Sequence, residues 1–303
     1  MIKQFDDNGG GDFLVLTAAP GSAYFSDAKL AELAEVMPGL PDARRLSPDA
    51  VEYTLDTGDV GIADAMVNYF PNPPFDINRV SDTDRRKKML IADLESTIIE
   101  QECLDELAVH IGKQDVIADI TERAMRGELD FEPALKERVA MLKGLPEASL
   151  QALYDNGITL MPGAATLLAT LRANDVFCGL VSGGFAFFAS RIADHLGFNR
   201  FQCNDLNVTD GVLDGTVVEP ILGRAAKAEI LTAWAKEMNL SEADVLATGD
   251  GSNDLAMLGI AGMGVAFRAK PAVAETARYA IRHGDLTGLL YLQGYAQGDF
   301  ITA

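Results

Sequence analysis

From Met89 onward the sequence alternates short apolar runs with stretches of helical periodicity, and this alternation restricts the fold more than any other feature. Strands that alternate with helices form βαβ units, which build a parallel sheet with helices on its faces. The predicted strands are Met89 to Ala92, Val176 to Val181, Val245 to Ala247, Met263 to Phe267 and Tyr279 to Ile281. The sequence therefore predicts an α/β core with a parallel sheet.

Two segments interrupt this alternation. About eighty residues with helical periodicity and no clear strand separate the first two strands, which is too long for a simple crossover. We predict a helical cap inserted at about residues 100–158, placed as a lid over the strand ends. A second insertion, at about 206–218, alternates like a β-hairpin, with its turn predicted at Asp214-Gly215.

The sequence pattern predicts a small α+β unit over residues 1–84, followed by the core over residues 85–303. The highly charged segment from Ser81 to Lys88 marks the boundary. Strands are predicted at Phe13 to Leu16 and Val51 to Leu55, with an edge strand at Phe75 to Val80. One helix is predicted after Ser26, a suitable N-cap, and another at Ala63 to Phe70.

The formal net charge of −20 makes nucleic acid an unsuitable partner, because the protein's negative field repels phosphate backbones. A small anionic substrate would have to be attracted by local lysine, arginine or backbone amides. The 48% hydrophobic content is that of a soluble globular protein. We expect no signal peptide and no membrane span, since no uncharged apolar stretch is long enough.

The chain has three cysteines, at positions 103, 178 and 203. Their odd number and spacing fit neither a disulfide framework nor a metal knuckle, so we expect buried free thiols and a reducing, cytoplasmic environment.

Polar residues follow three of the predicted strands directly. Asp93 and Glu95 follow the first strand, Ser182 and Gly183 the second, and Asp250 the third. Ligands of open α/β sheets bind at the carboxyl ends of the strands, so these segments should converge. Each segment taken alone could equally be a helix N-cap or a turn.

The converging segments suit phosphate chemistry at a magnesium ion. Carboxylates at Asp93, Glu95, Asp250 and Asp254 are the hard oxygen ligands that Mg²⁺ prefers. Lys227 could hold phosphate oxygens, although by itself it would be read as a solvated helix lysine.

These residues resemble the motifs of the haloacid dehalogenase-like phosphatases, and more narrowly of the phosphoserine phosphatase family. The first motif is Asp-Leu-Glu-Ser-Thr from Asp93, the second is Ser-Gly-Gly from Ser182, the third is Lys227, and the fourth is Gly-Asp-Gly-Ser-Asn-Asp from Gly249. The resemblance covers about residues 89–290. The first eighty residues are only loosely similar to a small, regulatory-looking domain of some members.

The resemblance implies a Rossmann-like core and Mg²⁺-dependent hydrolysis of O-phosphoserine, the last step of serine biosynthesis. Asp93 would be the nucleophile and Glu95 the acid/base. The metal would be bound by Asp93, Asp250 and the Glu95 carbonyl, with Asp254 behind. Substrate phosphate would be held by further residues of the motifs: Ser182, Gly183, Lys227 and Asn253.

The insertion resembles the cap that recognises the serine part of the substrate. By this resemblance Glu102 would face the substrate ammonium and Arg138 its carboxylate, a role that suits a planar guanidinium. Met125 and Phe131 would exclude water. Without the motifs we would interpret the last two as cap packing, and Glu102 and Arg138 as a solvated pair.

Glu95 departs from the family, which usually has Asp at this position. Because the side chain is one methylene longer, a non-catalytic sensor of phosphoserine or serine stays open beside hydrolysis. A third hypothesis, independent of Glu95, keeps the aspartyl-phosphate but transfers the phosphoryl group to another alcohol such as homoserine. A receiver-like signalling domain would have no use for the cap. The expected partner is a small phosphomonoester, and homodimer formation is left open.

Overall fold

The computed structural model describes residues 11–56, 60–126 and 128–302, with the side chains of Val60 and Met125 outside this description. The first unit has two helices and a four-stranded antiparallel sheet of strand order β2-β3-β1-β4. In chain order its elements are β1 (Asp12–Ala18), α1 (Asp27–Val36), β2 (Ala43–Ser47), β3 (Ala50–Leu55), α2 (Val60–Tyr69) and β4 (Phe75–Ser81).

The three strands and two helices predicted for this unit are confirmed. Ser26 caps α1, since its hydroxyl accepts a hydrogen bond from Lys29 N at 3.3 Å. Strand β2 was not predicted, because this edge strand carries Arg44 and Arg45 on its exposed part and shows little apolar alternation.

The rest of the chain contains a six-stranded sheet and the inserted segments. The elements up to the second strand of this sheet are β5 (Met89–Ala92), α3 (Cys103–Val109), α4 (Gln114–Met125), α5 (Phe131–Met141), α6 (Ala148–Gly157), α7 (Ala164–Ala173) and β6 (Phe177–Phe185). The remaining elements are α8 (Ala186–Leu196), β7 (Arg200–Asn204), β8 (Leu206–Thr209), β9 (Val212–Val217), α9 (Arg224–Glu237), β10 (Val245–Gly249), α10 (Leu255–Ile260), β11 (Met263–Phe267), α11 (Pro271–Thr276), β12 (Tyr279–Ile281) and α12 (Gly288–Leu292).

The large sheet is parallel throughout, with the order β12-β11-β10-β5-β6-β7. Strand β5 is apolar at every position because both its faces are covered: Leu90 packs in one hydrophobic cluster and Ile91 in another on the opposite face. The five predicted strands and the α/β, Rossmann-like fold class are confirmed. Strand β7 was not predicted, because this sheet-edge strand has three exposed residues, Arg200, Phe201 and Gln202.

The insertion after β5 is helical, as predicted, and comprises α3 to α6. The predicted hairpin is also present as β8 and β9, but its turn lies at Asp210-Gly211, where φ is +51° and +75°. The prediction of the turn at Asp214-Gly215 was wrong, because these residues lie inside β9. Gly215 there approaches Lys143, just after α5, so closely that an added Cβ would lie 2.9 Å from the Cβ of Lys143.

The first unit docks on the edge strand β12 through side chains of β4. Asn78 both donates to Ala280 O and accepts from Ala280 N, each at 3.0 Å. Asp76 accepts from the backbone nitrogens of Arg282, His283 and Gly284 at 2.8, 3.1 and 3.2 Å. These side chains take the place of strand-to-strand hydrogen bonds and join the two sheets. None of the helices in the described ranges is both long and apolar enough to cross a membrane.

Candidate active site

The polar residues predicted to converge lie together at the carboxyl ends of the neighbouring strands β5 and β10. The backbone of Asp93 is fixed by its nitrogen, which donates to Thr248 O at 3.0 Å. The chain crosses to β6 on one side of β5 and to β10 on the other, so this edge is the topological switch point of the sheet. The sheet thus places Asp93 and Asp250 side by side.

Three buried carboxylates can act together as ligands of a cation. Asp93, Asp250 and Asp254 each offer one oxygen, and these oxygens lie within 4.8 Å of one another. Thr97 supports the group by donating to Asp250 Oδ1 at 3.4 Å. All three acids are at most 6% exposed. Because oxygen ligands of this kind suit hard divalent cations, the cluster fits the metal that haloacid dehalogenase-like phosphatases use.

The electrostatics of the cluster also favour a cation. Burial and repulsion by Asp254 and Asp93 raise the pKa of Asp250 well above its usual range. Burial raises the pKa of Asp254 to about 6, against the opposing effect of Lys227. Carboxylates that are costly to ionise in isolation are stabilised in their charged form by a bound cation.

Lys227 lies behind these acids and is 1% exposed. Its Nζ donates to Asp254 Oδ1 at 2.6 Å and lies 2.8 Å from Asp93 Oδ1 as an ion pair without hydrogen-bond alignment. Burial lowers the pKa of Lys227, but the attraction of Asp254 and Asp93 outweighs burial and raises it. Lys227 is therefore a fixed cation beside the candidate nucleophile, and its interpretation as a solvated lysine was wrong.

A cavity of about 290 Å³ opens in front of Asp93, between the sheet and the cap. Most of the predicted site residues line it: Asp93, Glu95, Glu102, Phe131, Arg138, Ser182, Gly183, Asp250 and Asn253. The 1% exposed hydroxyl of Ser182 accepts a hydrogen bond from Gly184 N at 2.9 Å, which orients it. The predicted residues thus share one pocket, with Lys227 and Asp254 directly behind it.

Glu95 reaches from the core toward the cap. Its Oε1 accepts a hydrogen bond from Cys103 N, the first residue of α3, at 3.0 Å. Its other oxygen packs against Gly184, where an added Cβ would lie 2.8 Å away. Burial raises the pKa of Glu95, and repulsion by Asp93 adds to the effect. The longer side chain is therefore accommodated by a glycine on one side and a helix start on the other.

Glu102 is held at the cap side of the pocket by Ser96, whose hydroxyl donates to Glu102 Oε1 at 2.6 Å. Ser96 adopts φ +52°, a backbone conformation that turns the chain after the nucleophile. Burial and repulsion by Glu95 and Asp250 raise the pKa of Glu102 well above its usual range. A positive ligand group would relieve this repulsion.

Arg138 supplies the positive charge of the cap side and is 7% exposed. Burial lowers its pKa, whereas Glu95, Asp105 and Glu102 act in the opposite direction. The pocket therefore presents a carboxylate and a guanidinium that are both largely withdrawn from water, on the side opposite Asp93.

Phe131 closes the pocket between cap and core. An added Cβ on Gly183 would lie 2.7 Å from the tip of the Phe131 ring, so the close approach requires glycine there. Ser252 makes a second contact, donating from its hydroxyl to Ala124 O near the end of α4 at 3.1 Å. Met125 ends α4, but its side chain lies outside the described part of the structure.

Sequence reasoning missed several residues of the pocket wall, among them Thr121, Arg224 and Ser252. Ser252 and Arg224 stand beside recognised residues, inside the fourth motif and three positions before Lys227, and could have been found by their place in the chain. Thr121 carries no such signal, because its role depends on how the cap helices pack.

A family model described as haloacid dehalogenase-like hydrolase matches residues 90–259. A Mycobacterium tuberculosis relative named phosphoserine phosphatase SerB2 is 41% identical over 219 residues, 72% of this chain and 53% of the relative. The matched region thus spans about half the length of that relative.

Two solved structures extend the comparison. A HAD family hydrolase from Salmonella enterica serovar Typhi superposes with a TM-score of 0.82 at 30% identity, covering 93% of this chain and 98% of that one. A phosphoserine phosphatase solved as a phospho-aspartyl intermediate analogue has a TM-score of 0.65 at 36% identity and covers 68% of this chain and 98% of its own. The chain belongs to the haloacid dehalogenase-like hydrolases, and within them to the phosphoserine phosphatase family.

Proposed function

We propose that this chain hydrolyses O-phosphoserine to serine and phosphate through an aspartyl-phosphate on Asp93, with Mg²⁺ as cofactor. One observation carries the proposal: Asp93, backed by Lys227, lines the same cavity as Glu102 and Arg138. A carboxylate and a guanidinium opposite the nucleophile are complementary to the ammonium and carboxylate of an amino acid. The names of the relatives point to the same substrate.

In the first half of the reaction a carboxylate oxygen of Asp93 attacks phosphorus, and the bond from phosphorus to the serine oxygen breaks. Glu95 donates a proton to the departing serine oxygen. The raised pKa of Glu95 is the direction that a general acid requires near neutral pH. In the second half Glu95 takes a proton from water, which attacks phosphorus and releases Asp93.

Charge on the phosphoryl group is balanced by fixed cations and donors. Lys227, held by Asp254 and Asp93, and the Ser182 hydroxyl would bind non-bridging phosphate oxygens. Asp93, Asp250 and Asp254 would hold Mg²⁺, with the Glu95 carbonyl as a further ligand, and the metal would supply neutralisation of phosphate charge. Gly183 and Asn253 line the same wall.

Substrate selection would come from the cap. Glu102 would bind the ammonium and Arg138 the carboxylate, while Phe131 keeps water from the phosphoryl group. Phe131 is suited to this because its ring already packs on Gly183.

We place the chain in the cytoplasm because its three cysteines are free. We also treat residues 1–84 as a domain distinct from 85–303, with the cap at about 100–158. The separate four-stranded and six-stranded sheets support this division.

The test is phosphate release from a panel of phosphomonoesters with and without Mg²⁺. We expect Mg²⁺-dependent release with phosphoserine preferred over phosphothreonine and sugar phosphates. Equal rates across the panel would contradict the role of the cap. Binding of phosphoserine without any release would favour the non-catalytic sensor, and a phosphorylated product on addition of homoserine would favour phosphoryl transfer.

A further inference from the structure

Thr121 lies where three cap helices meet at the wall of the active-site cavity. It belongs to α4 and is 4% exposed. Its hydroxyl accepts a hydrogen bond from Arg138 Nη1 of α5 at 2.8 Å. The single hydroxyl hydrogen has two acceptors within reach, Asp105 Oδ1 of α3 at 2.7 Å and Ile117 O of the same helix at 2.9 Å. One hydroxyl therefore connects a buried arginine with a carboxylate on another helix.

The hydrogen bonds of Arg138 define which part of its guanidinium is left for a ligand. Nε donates to Ala134 O of the same helix at 3.3 Å, and Nη1 donates to Thr121. Among the described residues no hydrogen bond is formed by Nη2. The end of the guanidinium that carries Nη1 and Nη2 is thus available, since each of these nitrogens has two hydrogens.

We propose that Thr121 is a positioning residue for the substrate carboxylate, because it fixes the rotation of the Arg138 guanidinium and turns the Nη1–Nη2 edge into the cavity. The inference rests on the proposed function, in which Arg138 receives that carboxylate. Asp105 and the carbonyl of Ile117 act behind Thr121: both draw the hydroxyl hydrogen away from Arg138, which leaves an oxygen lone pair of Thr121 for Arg138 Nη1.

A hydroxyl suits the position beside Arg138 better than a carboxylate of the protein would. Asp105 attracts Arg138 through space, but Thr121 occupies the position beside Nη1. A carboxylate placed there would form the bidentate ion pair that the substrate needs. Thr121 anchors the guanidinium and leaves its charge for the ligand.

The test compares Thr121→Val with the wild type on phosphoserine and on phosphoethanolamine, which lacks the carboxylate. We expect KM for phosphoserine to rise about tenfold, the usual cost of one buried hydrogen bond to a charged group, with kcat within about twofold. The KM for phosphoethanolamine should stay unchanged. Thr121→Ser keeps the hydroxyl and should restore the wild-type KM for phosphoserine.

Thr170→Val is the matched control, because Thr170 is also a fully buried helical threonine, in α7, that accepts a hydrogen bond, from Ile301 N at 2.9 Å. It should leave the ratio of the two KM values unchanged. An equal KM change for both esters in Thr121→Val, no change for phosphoserine, or failure of Thr121→Ser to restore its KM would overturn the inference.

Arg138→Met separates this inference from the proposed function. If Arg138→Met loses the preference for phosphoserine over phosphoethanolamine while Thr121→Val keeps it, only the role of Thr121 is wrong. If Arg138→Met keeps the preference, the proposed recognition of the substrate carboxylate is itself wrong. Should Thr121→Val fail to fold, Thr121→Ala provides the same comparison, with the same rise in KM for phosphoserine expected and an unchanged KM overturning the inference.

Discussion

The core meets two neighbours, the first unit and the cap, and the two junctions are built differently. At the junction with the first unit, buried side chains form hydrogen bonds with backbone groups that lie outside the active site. Asn78 pairs with Ala280, and Asp76 accepts hydrogen bonds from three backbone nitrogens. Arg85 adds a buried ion pair with Glu52 at 2.8 Å and donates to Leu292 O at 2.7 Å. Moving this unit would leave many polar groups unpaired in the interior.

At the junction with the cap, the polar contacts around the cavity run through residues of the active site itself. Ser96 binds Glu102, Glu95 binds Cys103 N, and Ser252 binds Ala124 O. These few contacts surround the cavity, where a substrate or water could replace them. Away from the cavity the cap is joined to the hairpin β8–β9 by backbone hydrogen bonds, among them Gly144 N to Leu213 O at 2.8 Å and Leu213 N to Leu145 O at 2.9 Å. The two junctions therefore differ in what a substitution should change: at the first unit chiefly the free energy of unfolding, and at the cavity side of the cap chiefly catalysis.

The largest effect is expected for Glu95→Ala. It removes the acid/base and its contact with the cap, so kcat should fall on the order of 10²- to 10⁴-fold, with Mg²⁺ and phosphate binding retained. The free energy of unfolding should hardly change. Steady-state kinetics and urea unfolding check both parts, and wild-type turnover would contradict the role of Glu95. A large gain in Glu95→Asp would show that the extra methylene weakens catalysis.

Arg85→Met should show the opposite pattern at the other junction. Arg85 and Glu52 are 8% and 1% exposed as side chains, so the substitution removes one of the two partners of a buried carboxylate and leaves Glu52 paired only with Arg44, which is 58% exposed. It also removes the hydrogen bond that Arg85 donates to Leu292 O. The loss of these buried hydrogen bonds should cost about 2–4 kcal/mol. Urea unfolding should detect this loss while kcat/KM on the remaining folded protein stays the same.

Arg200→Met is the control for Arg85→Met. Its ion pair with Glu237 is of similar length, 2.7 Å, but the two side chains are 47% and 60% exposed. The loss should stay within about 1 kcal/mol, because exposed ion pairs contribute little. Similar losses in the two variants, or a fall in kcat/KM for Arg85→Met alone, would refute the contrast between the junctions.

The smallest effect concerns the acids of the candidate metal cluster and depends on pH. In the folded chain the pKa of Asp254 is raised from 3.8 to about 6, and that of Asp250 is raised as well. Because its pKa is raised on folding, the Asp254 carboxyl contributes stability that is fully present below pH 3.8 and is lost as the pH rises through about 6. Without Mg²⁺ this should amount to about 1–3 kcal/mol at pH 7.

Asp250→Asn should therefore stabilise the metal-free chain at pH 7 and flatten this loss between pH 4 and 7. Mg²⁺ should stabilise the wild type and have little effect on the variant. Thermal unfolding with and without Mg²⁺ measures both effects, and Asp130→Asn, an exposed pocket residue, serves as control. Equal Mg²⁺ stabilisation of the wild type and Asp250→Asn would argue against the metal cluster.

Much of the core could be predicted from the sequence because its strands are buried on both faces and therefore continuously apolar, as in Met89 to Ala92. The edge strands β2 and β7 gave no such signal, since Arg44 and Arg200 face solvent. The hairpin turn was misplaced because Asp214-Gly215 and Asp210-Gly211 are chemically equivalent turn pairs. The close approach of Gly215 to Lys143, which distinguishes it from the open surroundings of Gly211, depends on tertiary packing.

The site residues at the strand ends were predictable for a similar reason: parallel strands bring their ends together, and the motifs mark those ends. Two contacts could not be predicted from the sequence, that of Thr121 with Arg138 and that of Asn78 with Ala280. Both depend on the packing of elements that are 17 and 202 residues apart in sequence, and single polar residues in helices or strands do not reveal such partners.

The most direct test of the account is to trap the covalent intermediate. The wild-type chain would be mixed with phosphoserine and Mg²⁺, quenched in acid and digested, and the peptide that contains Asp93 examined by mass spectrometry. The account predicts one added phosphoryl group on Asp93, absent in Asp93→Asn and accumulating in Glu95→Ala when phosphoserine still reacts slowly. Phosphate release by the wild type with no phosphorylated Asp93 at any quench time, or a phosphoryl group on another residue, would contradict it.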